Sequence, residues 1–149
     1  MQHKLTIGRT DRADFPDLNL DNVEVKVDTG AYTSSIHCSA IREEDNVLHA
    51  IFLDEDHPSQ HGQPIQFTEY EIASVKSSNG QTELRYEVRS SIRLFGKKYK
   101  ISLTLSDRAG MRFPVLLGRK FLSKKFIVDT ELQDVSYLST QHENPPTDP

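Results

Sequence analysis

The chain has 149 residues, with 18 Lys and Arg against 22 Asp and Glu, a net charge of −4, and 36% apolar residues. That is one domain's length, burying roughly 70% of its unfolded surface in a single core. The acidic balance argues against a general nucleic-acid binder, and no apolar run approaches the roughly 20 residues needed to cross a bilayer.

The lone cysteine, Cys38, excludes an internal disulfide and a multi-cysteine zinc site. Residues 1–10 carry Lys4 and Arg9 but no apolar leader, so a cytoplasmic location is expected. Apolar residues recur mainly with period two, the mark of a β protein. Val23, Val25 and Val27 alternate with Glu24 and Lys26, predicting a half-buried strand that runs into Asp28-Thr29-Gly30. Residues 54–66, with two prolines and a glycine, read as an unpacked insertion or long surface loop. Asn79-Gly80 supplies the positive φ angles of a type I′ turn, placing a hairpin tip at residues 77–81. Antiparallel strands follow, with Leu84, Tyr86 and Val88, then Ile92 and Leu94, on one side of a turn at Gly96-Lys97 and Tyr99 to Leu105 on the other.

Phe113-Pro114-Val115-Leu116-Leu117 is a continuous apolar run closed by Gly118, as expected of a strand buried on both faces. Residues 119–125 allow at most two helical turns before Phe126-Ile127-Val128 resumes a strand. Residues 1–138 form the expected domain. Residues 139–149, with three prolines, read as a disordered tail.

The informative segment is Val25-Lys26-Val27-Asp28-Thr29-Gly30-Ala31-Tyr32-Thr33-Ser34-Ser35. A carboxylate at the end of a buried strand is costly unless its partners are fixed. Gly30 lets backbone amides approach it, and Thr29 can bond to a neighbouring segment. Alone, Asp-Thr-Gly is an ordinary turn after a strand. Its context is an Asn-Gly hairpin, antiparallel strands, and an apolar strand ending in Gly118-Arg119.

Together these resemble a retropepsin-like aspartic peptidase protomer. Asp28-Thr29-Gly30-Ala31 is similar to the active-site motif, and Leu116-Leu117-Gly118-Arg119 to the second strand and helix entry. The hairpin with Ser78, Asn79 and Gly80 is similar to the flap. More closely, DTGAYTSSIH, SSNGQTELRYEV, MRFPVLLGR and FIVDT are similar to the bacterial group labelled ATP-dependent zinc proteases. The resemblance implies a mainly β, retropepsin-like barrel with one short C-terminal helix. It implies Asp28, Thr29 and Gly30 as catalytic, Gly118 and Arg119 as support, and no cofactor. Two carboxylates are needed, one as base on a water and one protonated toward the scissile carbonyl. The chain has one Asp-Thr-Gly, so the implied enzyme is a homodimer with one Asp28 from each copy.

Tyr32 stands where retroviral enzymes carry an acidic partner for the conserved arginine, leaving the partner of Arg119 open. The polar flap and the 54–66 insertion point to a polar substrate. Ala31, Ser78, Asn79, Gly80, Arg85, Arg89 and Arg112 are the candidate substrate-binding residues, since guanidinium groups grip carboxylates; solvated strand faces are the plain alternative for the arginines. Members of the group accompany RimK-type ATP-grasp ligases that add glutamates, which implies an acidic or glutamylated peptide substrate and a ligase partner.

No His-Glu-x-x-His and no phosphate-binding loop occurs, which argues against both words of the group's label. His57 and His61 sit in a loop, and His37 beside Cys38 offers two ligand types on opposite strand faces. Cys38 reads as a small core residue rather than a nucleophile. Three readings stand: an aspartic endopeptidase, a non-catalytic module that binds acidic peptides beside an ATP-grasp ligase, and the metallopeptidase of the label.

Overall fold

The alternation Val23, Val25, Val27 puts every second side chain of one strand into the core. The computed structural model, which describes residues 3–76, 79–107 and 112–143, builds the fold around that strand. In chain order the strands are β1 (Leu5–Ile7), β2 (Thr10–Phe15), β3 (Leu20–Val27), β4 (Ser34–Glu44), β5 (Val47–Phe52) and β6 (Ile65–Phe67). They continue with β7 (Glu71–Lys76), β8 (Thr82–Leu94), β9 (Lys97–Ser106), β10 (Val115–Leu117) and β11 (Phe126–Val128). The described residues also form two α-helices, α1 (Arg119–Leu122) and α2 (Val135–Glu143).

Six strands close a barrel in the order β10, β3, β2, β8, β9, β4, with β4 returning to pair β10. Such closure removes the edges that an open sheet would expose. The barrel is lined by Val23, Val25, Ile36, Leu103, Val115 and Leu117, all 0% exposed. Beyond it, β5 and β6 extend β4, and β7 pairs β8 to form a projecting arm. A separate parallel pair joins β1 to β11.

The short strand β10 decides the position of the site. It lies between β3, to which it is parallel, and β4, to which it is antiparallel. The segment joining β3 to β4 must therefore pass over the end of β10. Of its unbroken apolar run, Val115 and Leu117 on one face are buried, while Leu116 on the other is only half-buried.

Four local expectations are corrected. The type I′ turn does not form at Asn79-Gly80: β7 and β8 pair only out to Lys76 and Thr82, and of the two residues only Gly80 has positive φ, 85°. The Asn79 side chain instead accepts the Gln81 N–H at 3.1 Å, a local turn of its own. The two-residue turn sits between β8 and β9, where Phe95 and Gly96 take φ of 54° and 71°.

Residues 54–66 are held down rather than unpacked. Gln60 Nε2 donates to the Leu53 carbonyl at 2.8 Å, the Asp21 N–H to Ser59 Oγ at 2.8 Å, and His57 Nε2 lies 2.8 Å from Glu24 Oε1. Among the described residues there are two α-helices rather than one, and α2 runs past Ser139, where the sequence places the start of a tail. Its cause is distant: the buried Asp11 carboxylate accepts the N–H groups of Ser136 at 2.9 Å and Tyr137 at 3.1 Å, capping the helix from strand β2.

Candidate active site

Strand β3 delivers Asp28 to the top of the barrel, where its N–H donates to the Leu117 carbonyl of β10 at 2.9 Å. The Gly30 N–H donates to Asp28 Oδ1 at 3.2 Å, and the Ala31 N–H to the Asp28 carbonyl at 3.2 Å. Asp28 is thus anchored by backbone on both sides while its carboxyl group stays half-buried; Thr29 and Gly30 beside it are exposed. Among the described residues, Asp28 Oδ2 and the Thr29 hydroxyl have no hydrogen bond.

Gly118 shows why this crossing needs a glycine. A Cβ there would lie 2.5 Å from the Thr33 carbonyl oxygen and 2.6 Å from that of Tyr32. Backbone meets backbone at this point. The Gly118 N–H donates to Ser34 Oγ at 3.0 Å, the Arg119 N–H to the Ala31 carbonyl at 2.9 Å, and the Lys120 N–H to the Tyr32 carbonyl at 2.9 Å. The start of α1 and the end of β10 therefore stitch the whole 28–34 segment in place. Gly30 differs: its φ is not positive and a Cβ would meet only Asp28 Oδ1 at 3.4 Å, so nothing in its own chain demands glycine.

The open question of Arg119 is answered locally. Its Nη1 donates to the Thr29 carbonyl at 2.9 Å, and its guanidinium lies 5.8 Å from the centre of the Tyr32 ring. Tyr32 thus replaces an ion pair with a cation–π contact, and Arg119 grips the residue next to Asp28.

The other candidates scatter. Arg85 is paired to Glu83 on its own strand at 3.0 Å. Arg112 lies over the Phe113 ring at 5.7 Å. Arg89 lines two cavities whose walls do not include Asp28. Asn79 and Gly80 stand exposed at the tip of the β7–β8 arm, and Ser78 lies outside the described residues. Of the hydroxyl run Thr33-Ser34-Ser35, whose residue types suit shaping the turn and its hydrogen bonds, Ser34 is the one that holds Gly118.

The histidines do not fit a metal at residues 57–61. Both nitrogens of His57 are engaged, with Glu24 and with the Ser59 N–H, and both of His61, with the Leu18 carbonyl and the Gln63 N–H. The Glu24 carboxyl is pushed up by burial, but the His57 hydrogen bond and charge outweigh this and leave it below the usual range. His37 Nε2 lies 2.6 Å from Asp54 Oδ1, and its buried Nδ1 has no partner among the described residues. The Cys38 thiol is 0% exposed and burial pushes it up, which leaves it inert.

Comparison with known proteins places these features in a family. A family model described as retropepsin-like aspartic endopeptidase RimB matches residues 6–137. A probable alpha-L-glutamate ligase of Shewanella pealeana is 36% identical over 131 residues, covering 85% of this chain. One of Desulfotalea psychrophila is 33% identical over 138 residues, covering 87%. The chain spans only 29% of the length of each of these relatives. The crystal structure of a Legionella pneumophila protein of unknown function superposes with a TM-score of 0.68 at 26% identity, covering 90% of this chain and 99% of that one. The chain belongs to the RimB-like family of retropepsin-like aspartic endopeptidases.

Proposed function

We propose that the chain is one half of an aspartic peptidase, active as a homodimer in which the two Asp28 carboxyl groups share a water. The observation that carries this is the state of Asp28: its backbone and Oδ1 are fixed, while the carboxyl group is left half-open beside exposed Thr29 and Gly30. Two carboxylates about 3 Å apart cannot both ionise, so the pair holds one proton. The ionised member takes a proton from water as its oxygen adds to the scissile carbonyl carbon. The protonated member donates toward the carbonyl oxygen. Collapse of the adduct breaks the C–N bond, and the nitrogen leaves with a proton. Arg119 and Gly118 support the wall behind the pair, and the β7–β8 arm with Asn79 and Gly80 is the flap.

The substrate we infer is an acidic, glutamate-rich peptide or protein. Support comes from the relatives named glutamate ligases, within which the matching segment is a minor part. Those names also favour a second reading, a non-catalytic module that presents acidic peptides to an ATP-grasp ligase. Incubation with oligoglutamate-tagged and untagged peptides, read by mass spectrometry, separates the two. The peptidase reading expects shortened tagged peptide with the native chain and none with Asp28→Asn, which should keep the native fold and self-association. Binding without cleavage by the native chain across the acidic pH range overturns it. A metallopeptidase would lose its activity to a chelator; the aspartic enzyme keeps it.

A further inference from the structure

A cluster of positive charge lies away from Asp28. A cavity of about 650 Å³ is lined by Arg89 of β8, Lys98 and Lys100 of β9, Lys120 of α1 and Lys125. In a chain of net charge −4 this clustering is a local inversion. Among the described residues none of these five side chains is in an ion pair. The cavity's one acid, Asp17, already accepts the Ser91 hydroxyl at 2.8 Å.

Two further observations describe the charge around this cavity. First, the β8–β9 register sets Arg93 directly opposite Lys98, which adds a further cation to this face, with Asp14 of β2 opposite Arg93 on its other side. Second, a neighbouring cavity that shares Arg89, Ser102 and Lys120 is lined by Glu69, Glu71 and Glu87. These acids lie beside Arg89 and Lys120, so the basic surface ends on that side and Lys98, Lys100 and Lys125 stand farthest from them. The spacing is compatible with an extended peptide. Lys98 and Lys100 stand two apart on one strand, a repeat of about 6.6 Å, which is the repeat of alternate side chains on any extended peptide. A nucleic acid is disfavoured by the acidic balance of the rest of the chain.

We infer that this cavity, on the β8–β9 face beside α1, is a second binding site that takes a run of carboxylates on an extended peptide. It is separate from the Asp28 carboxyl group yet coupled to it by chain. Lys120 lines the cavity, and its neighbour Arg119 holds the Thr29 carbonyl. An acidic segment bound here lies against the outside of the wall that positions Asp28. The site rests on the acidic-substrate reading only for the identity of its occupant, and its test uses a chain that cannot cleave.

The probe is fluorescein-labelled hexaglutamate, titrated by anisotropy into the full chain carrying Asp28→Asn. Removing Lys98, Lys100 and Lys120 together as Lys→Gln should weaken binding at least tenfold. Removing Lys4, Lys26 and Lys76, exposed lysines elsewhere, changes the net charge equally and should weaken it less than twofold. Circular dichroism of both triple variants checks that the barrel is intact. Equal weakening by both, or no binding at all, overturns the site. Tighter binding of a hexanucleotide of single-stranded DNA than of hexaglutamate overturns the assignment of a carboxylate ligand. Loss of cleavage by the native chain with binding intact would fault the peptidase reading and leave this one standing.

Discussion

Gly118 and Gly30 flank the same carboxylate, yet their substitution should have opposite consequences. At Gly118→Ala the new Cβ would stand 2.5 to 2.7 Å from the backbone of Tyr32 and Thr33, about 1 Å inside ordinary contact. Backbone cannot rotate away, so the 28–34 segment must lift from β10. Overpacking of this kind costs about 1–3 kcal/mol. Lifting also strains the bonds from the Gly118, Arg119 and Lys120 N–H groups, each worth about 1 kcal/mol. A loss of about 3 kcal/mol or more follows, which for a chain of this size lowers Tm by about 10 °C. Gly30→Ala meets only a carboxylate oxygen at 3.4 Å and should stay within about 0.5 kcal/mol of the native chain. Because Gly30 is exposed beside the proposed pair, the same change should abolish hydrolysis and weaken self-association. Urea denaturation gives the stabilities and sedimentation velocity the association. A stable Gly118→Ala chain, or an unstable Gly30→Ala one, refutes the account of how the turn is built.

Three other outcomes are expected. Arg119→Lys loses the planar contact with Tyr32 and the bond to the Thr29 carbonyl, and should lower kcat at least tenfold while costing only about 1–2 kcal/mol in a urea melt. Asp11→Ala strands the Ser136 and Tyr137 N–H groups, so about 2–4 kcal/mol should be lost, with hydrogen-exchange protection lost first in α2. Glu24 is ionised in the folded chain at pH values where the unfolded chain, near 4.5, has taken up a proton, so its stabilising contribution is present above that value and lost as the pH falls through the lowered folded one. Glu24→Gln should therefore flatten the acid limb of stability against pH, measured by urea midpoints between pH 3 and 6.

What the sequence made legible was whatever a residue's own neighbours determine. The alternation of β3, the run of β10 and the β8–β9 pair are local patterns, and each stands in the fold where it was read. Helix α2 was not legible because its cap comes from Asp11, 125 residues away from Ser136, and its own residues lack a marked apolar stripe. The 54–66 loop looked loose because glutamate, glutamine and histidine read as solvent-facing until their partners on β3 and in the loop itself are known. The setting of Arg85 was hidden for the same reason: it finds Glu83 two residues away, a pairing that strand alternation permits and composition conceals.

The placement of β10 explains why fold and site cannot be separated in this chain. Closing the barrel requires β10 between β3 and β4, and that insertion forces residues 28–34 across its end. The hydrogen bonds that close the barrel there are thus the ones that aim Asp28. Leu117 accepts the Asp28 N–H, and the next residue, Gly118, donates to Ser34. A carboxylate held this way needs no side-chain partner to stay oriented, so its oxygens stay available for chemistry. One copy supplies one such group, fixed from behind and open in front, with Thr29 and Gly30 exposed on the same side. Acid–base hydrolysis by carboxyl groups needs two in opposite protonation states, and the second must come from a surface that meets this open side. In the proposed dimer, a two-fold axis through that opening would satisfy the requirement with no further residue, since each copy would bring the same turn to the other.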